Sequence, residues 1–295
     1  MFPVPLFPAN QSLCAAGAAL AGAVAGETTP KGVMLARALL LLRLCAAAAA
    51  PAAAPGHCAT PGAPSFLAAG LAIGVDKVSL LAAPHGPDGH FYAPAYTKYL
   101  APLQNRSSRL LEIGLGCDSH YGPGRSVALW RAYLPCAHVS MVEVDAECVQ
   151  RTSASASAAD VTFVMDQGDE GALRRLARDT GPYDVIVDDG SHLASHQVGS
   201  LRALWPALAP GGAYFLEDLS TSFVDGYIDA LPTAWEVLAA IMRLRLFPQP
   251  DGQRRAGIRL PSGVPAWVRG IAAGVESVDC FEELCVLVKK GREGS

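Results

Sequence analysis

The 295-residue chain is 51% hydrophobic and carries a formal net charge of −4, enough apolar sequence for a sizeable core in one large or two small domains. It has no basic excess that would favour nucleic acid as a partner. Its eight cysteines, at positions 14, 45, 58, 117, 136, 148, 280 and 285, form no CxxC pair and no Cys/His zinc spacing, which leaves small core thiols as their reading.

Residues 1 to about 70 are crowded with Ala, Gly and Pro, hold Glu27 as their only acid and carry Lys31, Arg37 and Arg43. Within them VMLARALLLLRLC, at 33 to 45, precedes AAAAAPAAAPG. Arg43 leaves the apolar run too short for a good membrane span. Basic flank, apolar core and small residues are the layout of a cleaved targeting segment, organellar or secretory, starting at Met1 or at Met34. The alternative is a disordered Ala/Pro tail on an otherwise cytoplasmic protein. Either way residues 1–70 are expected outside the fold, and 71–295 are expected to form the domain.

Folded sequence is expected from near Val75. DKVSLLAAPHGPDGHFYAPAYTKYLAPL ends in Phe91, Tyr92, Tyr96 and Tyr99; Tyr96 and Tyr99, at helical spacing, are either packing residues or a lid over a ligand. Arg109 to Ile113 then reads as the first strand, running through Glu112 into the Gly114-Leu115-Gly116 turn, where glycine lets a backbone approach a ligand closely. The helix SVALWRAYL follows only after the loop CDSHYGPGR. The third glycine and the short turn of a dinucleotide fingerprint are both missing, which disfavours a nicotinamide-dependent oxidoreductase.

The second strand, His138 to Val142, ends at Glu143, with Asp145 two residues on. An acid there is placed to accept from the two ribose hydroxyls of a nucleoside. The third strand, Val161 to Met165, ends in Asp166-Gln167-Gly168-Asp169, where a carboxylate and an amide could hold an adenine edge. Each of these acids could instead cap the following helix, as is expected of Asp169 before GALRRLARD.

Tyr183 to Val187 is a β-branched run that stops at Asp188, Asp189, Gly190, Ser191 and His192, as a buried parallel strand does when it ends at a site. Val198, Leu201, Leu204, Trp205 and Leu208 recur at helical spacing, and Pro210 with Gly211-Gly212 is expected to stop that helix. Ala213 to Leu216 is the next strand, ending at Glu217-Asp218. Ligands of a parallel sheet bind outside the carboxyl ends of its strands, so these acids and His192 should converge on one crevice. His196, one turn on, competes with His192.

Beyond Asp218, TAWEVLAAIMRLRLF places Trp235, Leu238, Ile241 or Met242 and Leu246 on one helical face. Residues 248–269 read as irregular. Val275 to Phe281 and Leu284 to Lys289 make a hairpin about Glu282-Glu283, with Cys280 and Cys285 able to lie opposite each other as reduced core thiols. The fold class is α/β, a Rossmann-like, seven-stranded, doubly wound sheet with a C-terminal antiparallel hairpin.

EIGLG, VEVD, DQGD, VDDGSH and PGGAYFLED, in this order and spacing, resemble the class I S-adenosylmethionine-dependent methyltransferases. More narrowly they are similar to the metal-dependent sugar O-methyltransferases of the mycinamicin and macrocin type. The resemblance covers about residues 75 to 290. It implies S-adenosylmethionine held by Glu112, Gly114, Gly116, Glu143, Asp166, Gln167 and Asp188 with Tyr96 over it. It further implies Mg²⁺ on Asp189, Glu217 and Asp218, with His192 as base. Three carboxylates without Cys suit such a hard cation. Those macrolide enzymes carry an additional N-terminal domain and assemble as oligomers, so a homo-oligomer is implied here while the Ala-rich leader cannot supply that domain. The acceptor is expected to be a hydroxyl of a sugar or other small metabolite. A non-catalytic nucleoside-binding or interaction protein is the alternative, opposed by the presence of Asp189, His192, Glu217 and Asp218.

Overall fold

The computed structural model describes residues 62–78, 89–119, 122–153, 159–246 and 264–292, all within one unit, Pro55–Ser295. The expected leader up to residue 61, and the 248–269 segment as far as residue 263, lie outside the described residues. No described helix is long and apolar enough to cross a membrane.

The strands are β1 (Ser108–Ile113), β2 (Ala137–Glu143), β3 (Val161–Val164), β4 (Tyr183–Asp188), β5 (Leu208–Leu216), β6 (Val275–Cys280) and β7 (Cys285–Lys289). They form one seven-stranded sheet in the order β3-β2-β1-β4-β5-β7-β6. β3, β2, β1, β4 and β5 are parallel neighbours, and β7 runs antiparallel to both β5 and β6. The expected doubly wound sheet and terminal hairpin are therefore present.

Two apolar layers flank the sheet, because successive strand side chains point to opposite faces. Leu111, Ile186, Tyr214, Leu216 and Leu287 enter one core, packed by α5 (Glu170–Thr180), α6 (Ala194–Leu204), α7 (Ala234–Leu246) and α8 (Ala266–Gly274). Leu110, Val185, Val187, Phe215 and Val286 enter the other, against α1 (Phe66–Ile73), α2 (Ala93–Leu100) and α3 (Arg125–Tyr133). The remaining helix, α4 (Ala146–Thr152), follows β2. Asp145 and Asp169 cap α4 and α5, accepting from Cys148 N and Ala172 N at 2.9 Å each, so for these two acids the capping alternative holds.

Several boundaries differ from expectation. Packed sequence begins before residue 70: Ser65 caps α1 and Phe66 is fully buried, ringed by Tyr96, Trp130 and Tyr133. The crossover helix ends at Leu204, a 3₁₀ turn spans Trp205–Ala207, and Pro210-Gly211-Gly212 lies inside β5 at a register shift. On α7 the inward residues are Ala234, Val237, Leu238 and Ile241, while Trp235 and Leu246 are exposed. α8 starts inside the stretch expected to be irregular, burying Val268, Ile271 and Ala272. Cys280 pairs in register with Cys285 and is disulfide-bonded to it, and a second disulfide joins Cys117 to Cys148. Cys136 is disulfide-bonded too. Reduced core thiols were the wrong reading, because sequence spacing could not show which sulfurs the sheet brings together.

Candidate active site

The parallel strands β1, β2 and β4 end along one edge of the sheet, and their tips bound a cleft of about 670 Å³. Hydrogen bonds continue past the strand ends, from Gly114 N to Val142 O at 2.9 Å and from Asp189 N to Ile113 O at 3.1 Å. This locks the glycine turn against the Asp189 segment. Gly114, Gly116, Glu143, Asp166 and Gln167 line the cleft, as do Asp189, His192, His196 and Asp218. The sequence-expected convergence of strand tips is thus met by these nine residues.

The nucleoside-side residues hold one another. Glu143 Oε2 accepts from Leu115 N at 3.1 Å, and its Oε1 accepts from Val144 N and Asp145 N at 2.8 and 3.0 Å. The acid therefore ties the glycine turn of β1 to the end of β2. Asp166 accepts from Gly168 N at 2.7 Å. Gln167 donates to Asp188 and Ser200 and accepts from Ser191 N at 2.9 Å, so its amide braces the DDGSH turn.

Three expected cofactor residues do not line the cleft. Glu112 is fully buried, accepting from Ser126 Oγ at 2.7 Å and Trp130 Nε1 at 2.8 Å, and burial pushes its carboxyl up to about 7. Asp188 is fully buried under Gln167 and the Tyr214 hydroxyl, and burial likewise pushes it up to about 7. Tyr96 is no lid: it stacks between Phe66 and Phe215 in the core and donates to Glu217. Strand parity explains Glu112, since residues 111 and 113 take the opposite face.

The adjacent acids Glu217 and Asp218 part company. Asp218 has φ 53°, in the left-handed region, as do His192 at 59° and Glu283 at 57°; these are the three non-glycine residues with positive φ among those described. A non-glycine residue held there costs about 1 to 3 kcal/mol, and such positions cluster at functional sites. The turn sends Asp218 to the cleft and leaves Glu217 buried. Asp218 accepts from the Tyr92 hydroxyl at 2.9 Å and faces His192 Nε2 at 3.4 Å and His90 Nε2 at 3.3 Å. Glu217 is 1% exposed and meets Lys77 Nζ at 2.6 Å. The same ammonium is 2.6 Å from Asp189 Oδ2 and 3.4 Å from Glu112 Oε1.

Burial opposes a charge on Lys77, but Asp189 and Glu217 outweigh it and hold the ammonium well above its ordinary range. Burial, with Asp189 nearby, pushes Glu217 up. Ligand atoms of Asp189, His192 and Asp218 lie within 4.8 Å of one another. Two partly exposed carboxylates in that compass fit a hard divalent cation with open positions, and the His192 imidazole stands beside them. Of the expected set Asp189, Glu217 and Asp218, the structure gathers the first and last, while Glu217 is spent on Lys77 and Tyr96. His192 Nδ1 is buried with no hydrogen-bond partner among the described residues, and its Nε2 faces Asp218 Oδ2 at 3.4 Å. His196 Nδ1 is 2.7 Å from Ser191 Oγ, which engages the competing imidazole locally.

The sequence reading missed Lys77, His90 and the role of Tyr92. A lysine set in the apolar GVDKVSLL run was the available signal for the first. His90 also meets Glu283 of the terminal hairpin at 2.8 Å, a contact across 193 positions that no local pattern announces.

No protein-family model matches the chain. Among curated proteins it is similar to the 8-demethyl-8-(2-methoxy-alpha-L-rhamnosyl)-tetracenomycin-C 3'-O-methyltransferase of Streptomyces olivaceus, 35% identical over 160 residues, 50% of this chain and 38% of that protein. The 8-demethyl-8-alpha-L-rhamnosyl tetracenomycin-C 2'-O-methyltransferase of the same organism is 36% identical over 167 residues, 55% of this chain and 43% of that protein. The mycinamicin VI 2''-O-methyltransferase of Micromonospora griseorubida is 33% identical over 141 residues, 47% of this chain and 34% of that protein. The matched region is thus less than half the length of each of these relatives. The solved MycE methyltransferase of the mycinamycin biosynthetic pathway, in complex with Mg, SAH and mycinamycin VI, superposes with a TM-score of 0.60 at 22% identity over 79% of this chain and 56% of that one. Similarity over about half the chain and a shared sheet bear out the resemblance read from the motifs: the domain has the class I methyltransferase fold, and its sequence is similar to the demethylmacrocin and mycinamicin VI O-methyltransferases.

Proposed function

We propose that this protein is an S-adenosylmethionine-dependent O-methyltransferase acting on a sugar hydroxyl, with a divalent cation, Mg²⁺ by the chemistry of the donors, beside the acceptor. The observation that carries the reading is the meeting, in one cleft, of a carboxylate-imidazole cluster (Asp189, His192, Asp218) with a glycine turn and Glu143. The relatives' names support the same chemistry.

Asp189 and Asp218 would hold the cation, which supplies Lewis-acid polarisation of the acceptor hydroxyl when bound. His192 takes the hydroxyl proton, with the Asp218 carboxylate 3.4 Å from Nε2 stabilising the resulting imidazolium. Glu143 accepts from the ribose hydroxyls and keeps the glycine turn in place. A sulfonium methyl needs alignment for in-line attack above all, so these residues act chiefly by positioning. A net charge of −4 supports a small acceptor over nucleic acid. The family resemblance supports a homo-oligomer, and the disulfides Cys117–Cys148 and Cys280–Cys285 support a compartment that permits them, in line with the targeting layout of the leader.

Calorimetric titration of the full chain tests the reading. S-adenosylhomocysteine should bind and NAD should not, and transfer to a rhamnosyl or related glycoside should require a divalent cation. Binding of NAD in place of S-adenosylhomocysteine would defeat it.

A further inference from the structure

We propose that His196 reads the adenine of the cofactor, its Nε2 donating to N7 of the base while the Asp166 carboxylate accepts from the neighbouring 6-amino group. This inference rests on the S-adenosylmethionine-dependent reading above and deepens it, since it names the residue that distinguishes the base and gives the histidine after the DDGSH turn a task apart from proton transfer.

Asp166 and Gln167 are the pair expected at an adenine edge, a carboxylate with an amide. Gln167 is buried, and its amide is spent within the protein. Nε2 donates to Asp188 Oδ1 at 2.7 Å and to Ser200 Oγ at 3.0 Å, and the amide oxygen accepts from Ser191 N at 2.9 Å. An amide nitrogen has two hydrogens, so this one has none left to give to a base. Asp166 is exposed, uses Oδ1 to accept from Gly168 N at 2.7 Å and keeps Oδ2. The edge therefore has its acceptor and takes its donor from another side chain.

His196, in the first turn of α6, stands where that donor is required. A Cβ on Gly168 would lie 2.6 Å from His196 Nε2 and 3.2 Å from Asp166 Oδ1, so the imidazole tip and the carboxylate border one notch that the glycine leaves open. Both residues line the cleft. Ser191 Oγ holds the other ring nitrogen, Nδ1, at 2.7 Å. With the serine hydroxyl donating there, the ring carries its hydrogen on Nε2 and offers a donor beside Asp166. Adenine presents an acceptor, N7, next to a donor, the 6-amino group, which is the complement of this donor-acceptor pair. A base with an oxygen at position 6 would turn a lone pair toward the Asp166 carboxylate. Val144 and Met165, just past the ends of β2 and β3, line the cleft as well and supply apolar surface for the base. His192 is left to the acceptor, beside Asp218.

The test is calorimetric titration of the full-length chain with S-adenosylhomocysteine and with its 7-deaza analogue, in which a CH group replaces N7. The unaltered protein should bind the analogue about three- to tenfold more weakly, the worth of one neutral hydrogen bond. His196→Ala should bind S-adenosylhomocysteine more weakly by the same factor and should bind the two compounds within about twofold of each other, because the partner of N7 is gone. Gly168→Ala keeps the test open if His196→Ala does not fold: its methyl group meets the end of a flexible side chain, so it should displace the imidazole, leave the fold intact and erase the same discrimination. A histidine that only braces the turn through Ser191 would lower the melting temperature and leave the ratio of the two affinities unchanged, which would overturn the proposal, as would equal binding of the two compounds by the unaltered protein. If the unaltered protein binds neither compound, the proposed function itself fails; if it binds S-adenosylhomocysteine and the ratio does not depend on His196, only the role of His196 does.

Discussion

Gly114 packs so closely on the Asp189 carbonyl that a Cβ there would stand 2.0 Å from its oxygen, and its φ of +99° is strained for any L side chain. The glycine turn and the DDGSH turn are therefore mutually dependent. Gly114→Ala should lower stability by about 2 to 4 kcal/mol and weaken S-adenosylhomocysteine binding, read by urea unfolding and calorimetry. A variant with unaltered unfolding and affinity would show that the two turns move independently.

Glu143 does two things, holding Leu115 N at 3.1 Å and presenting a carboxylate to the cleft. Glu143→Ala should weaken S-adenosylmethionine binding by about 1 to 3 kcal/mol, from loss of a charged acceptor. Glu143→Gln, which keeps a carbonyl oxygen for Leu115 N, should lose less. Equal losses in the two variants would point to charge alone.

Metal and base separate in the kinetics. EDTA should abolish transfer and Mg²⁺ restore it, with S-adenosylhomocysteine binding retained. His192→Ala should lose about two to four orders of magnitude in rate while keeping cofactor affinity. His196→Ala should lose less, because its Nδ1 is engaged by Ser191 Oγ at 2.7 Å. The opposite ranking of the two histidines would move the base to His196.

Asp188 gives stability a pH dependence of known sign. Burial raises its carboxyl from 3.8 to about 7, so between those values the folded protein holds a proton that the unfolded chain has released. Its contribution is full below about 4 and is lost as pH rises through about 7. Asp188→Asn removes the titrating group and retains an acceptor for Gln167 or Tyr214. Relative to that variant, the unaltered protein should lose up to about 4 kcal/mol between those limits, measured by denaturant unfolding at several pH values. A pH-independent difference would place Asp188 in a wetter setting than its zero exposure indicates.

The disulfide Cys117–Cys148 closes a loop of sequence separation 31 and joins the cleft-lining loop after Gly116 to α4. Replacing both cysteines with serine should destabilise the protein by about 2 to 4 kcal/mol, and dithiothreitol should have a smaller further effect on the variant than on the parent. Peptide mapping under non-reducing conditions should recover the Cys117 and Cys148 peptides joined.

Sequence alone determined the sheet and its site edge. Runs such as Tyr183 to Val187 are apolar because both faces are buried, and they stop at acids because ligands meet a parallel sheet at its carboxyl ends; periodicity records both facts locally. It led to the expectation that Asp188, Asp189, His192, Glu217 and Asp218 share a crevice, of which Asp189, His192 and Asp218 line it. What only the tertiary structure decided is where each side chain of an acidic pair goes. Glu217 and Asp218 are neighbours in sequence, yet a left-handed φ at Asp218 sends one to the cleft and leaves the other on Lys77, a contact 140 positions away. The resemblance implied Glu112 and Asp188 as cofactor ligands because strand parity beside a turn cannot be read from composition, and Tyr96 stayed open between packing and a lid because a buried aromatic stack and an exposed one have the same spacing. Pairing of Cys280 with Cys285, and of Cys117 with Cys148, likewise depended on the register of β6 and β7 and on the approach of the loop after Gly116 to α4, since a covalent bond between distant residues is a property of three-dimensional proximity.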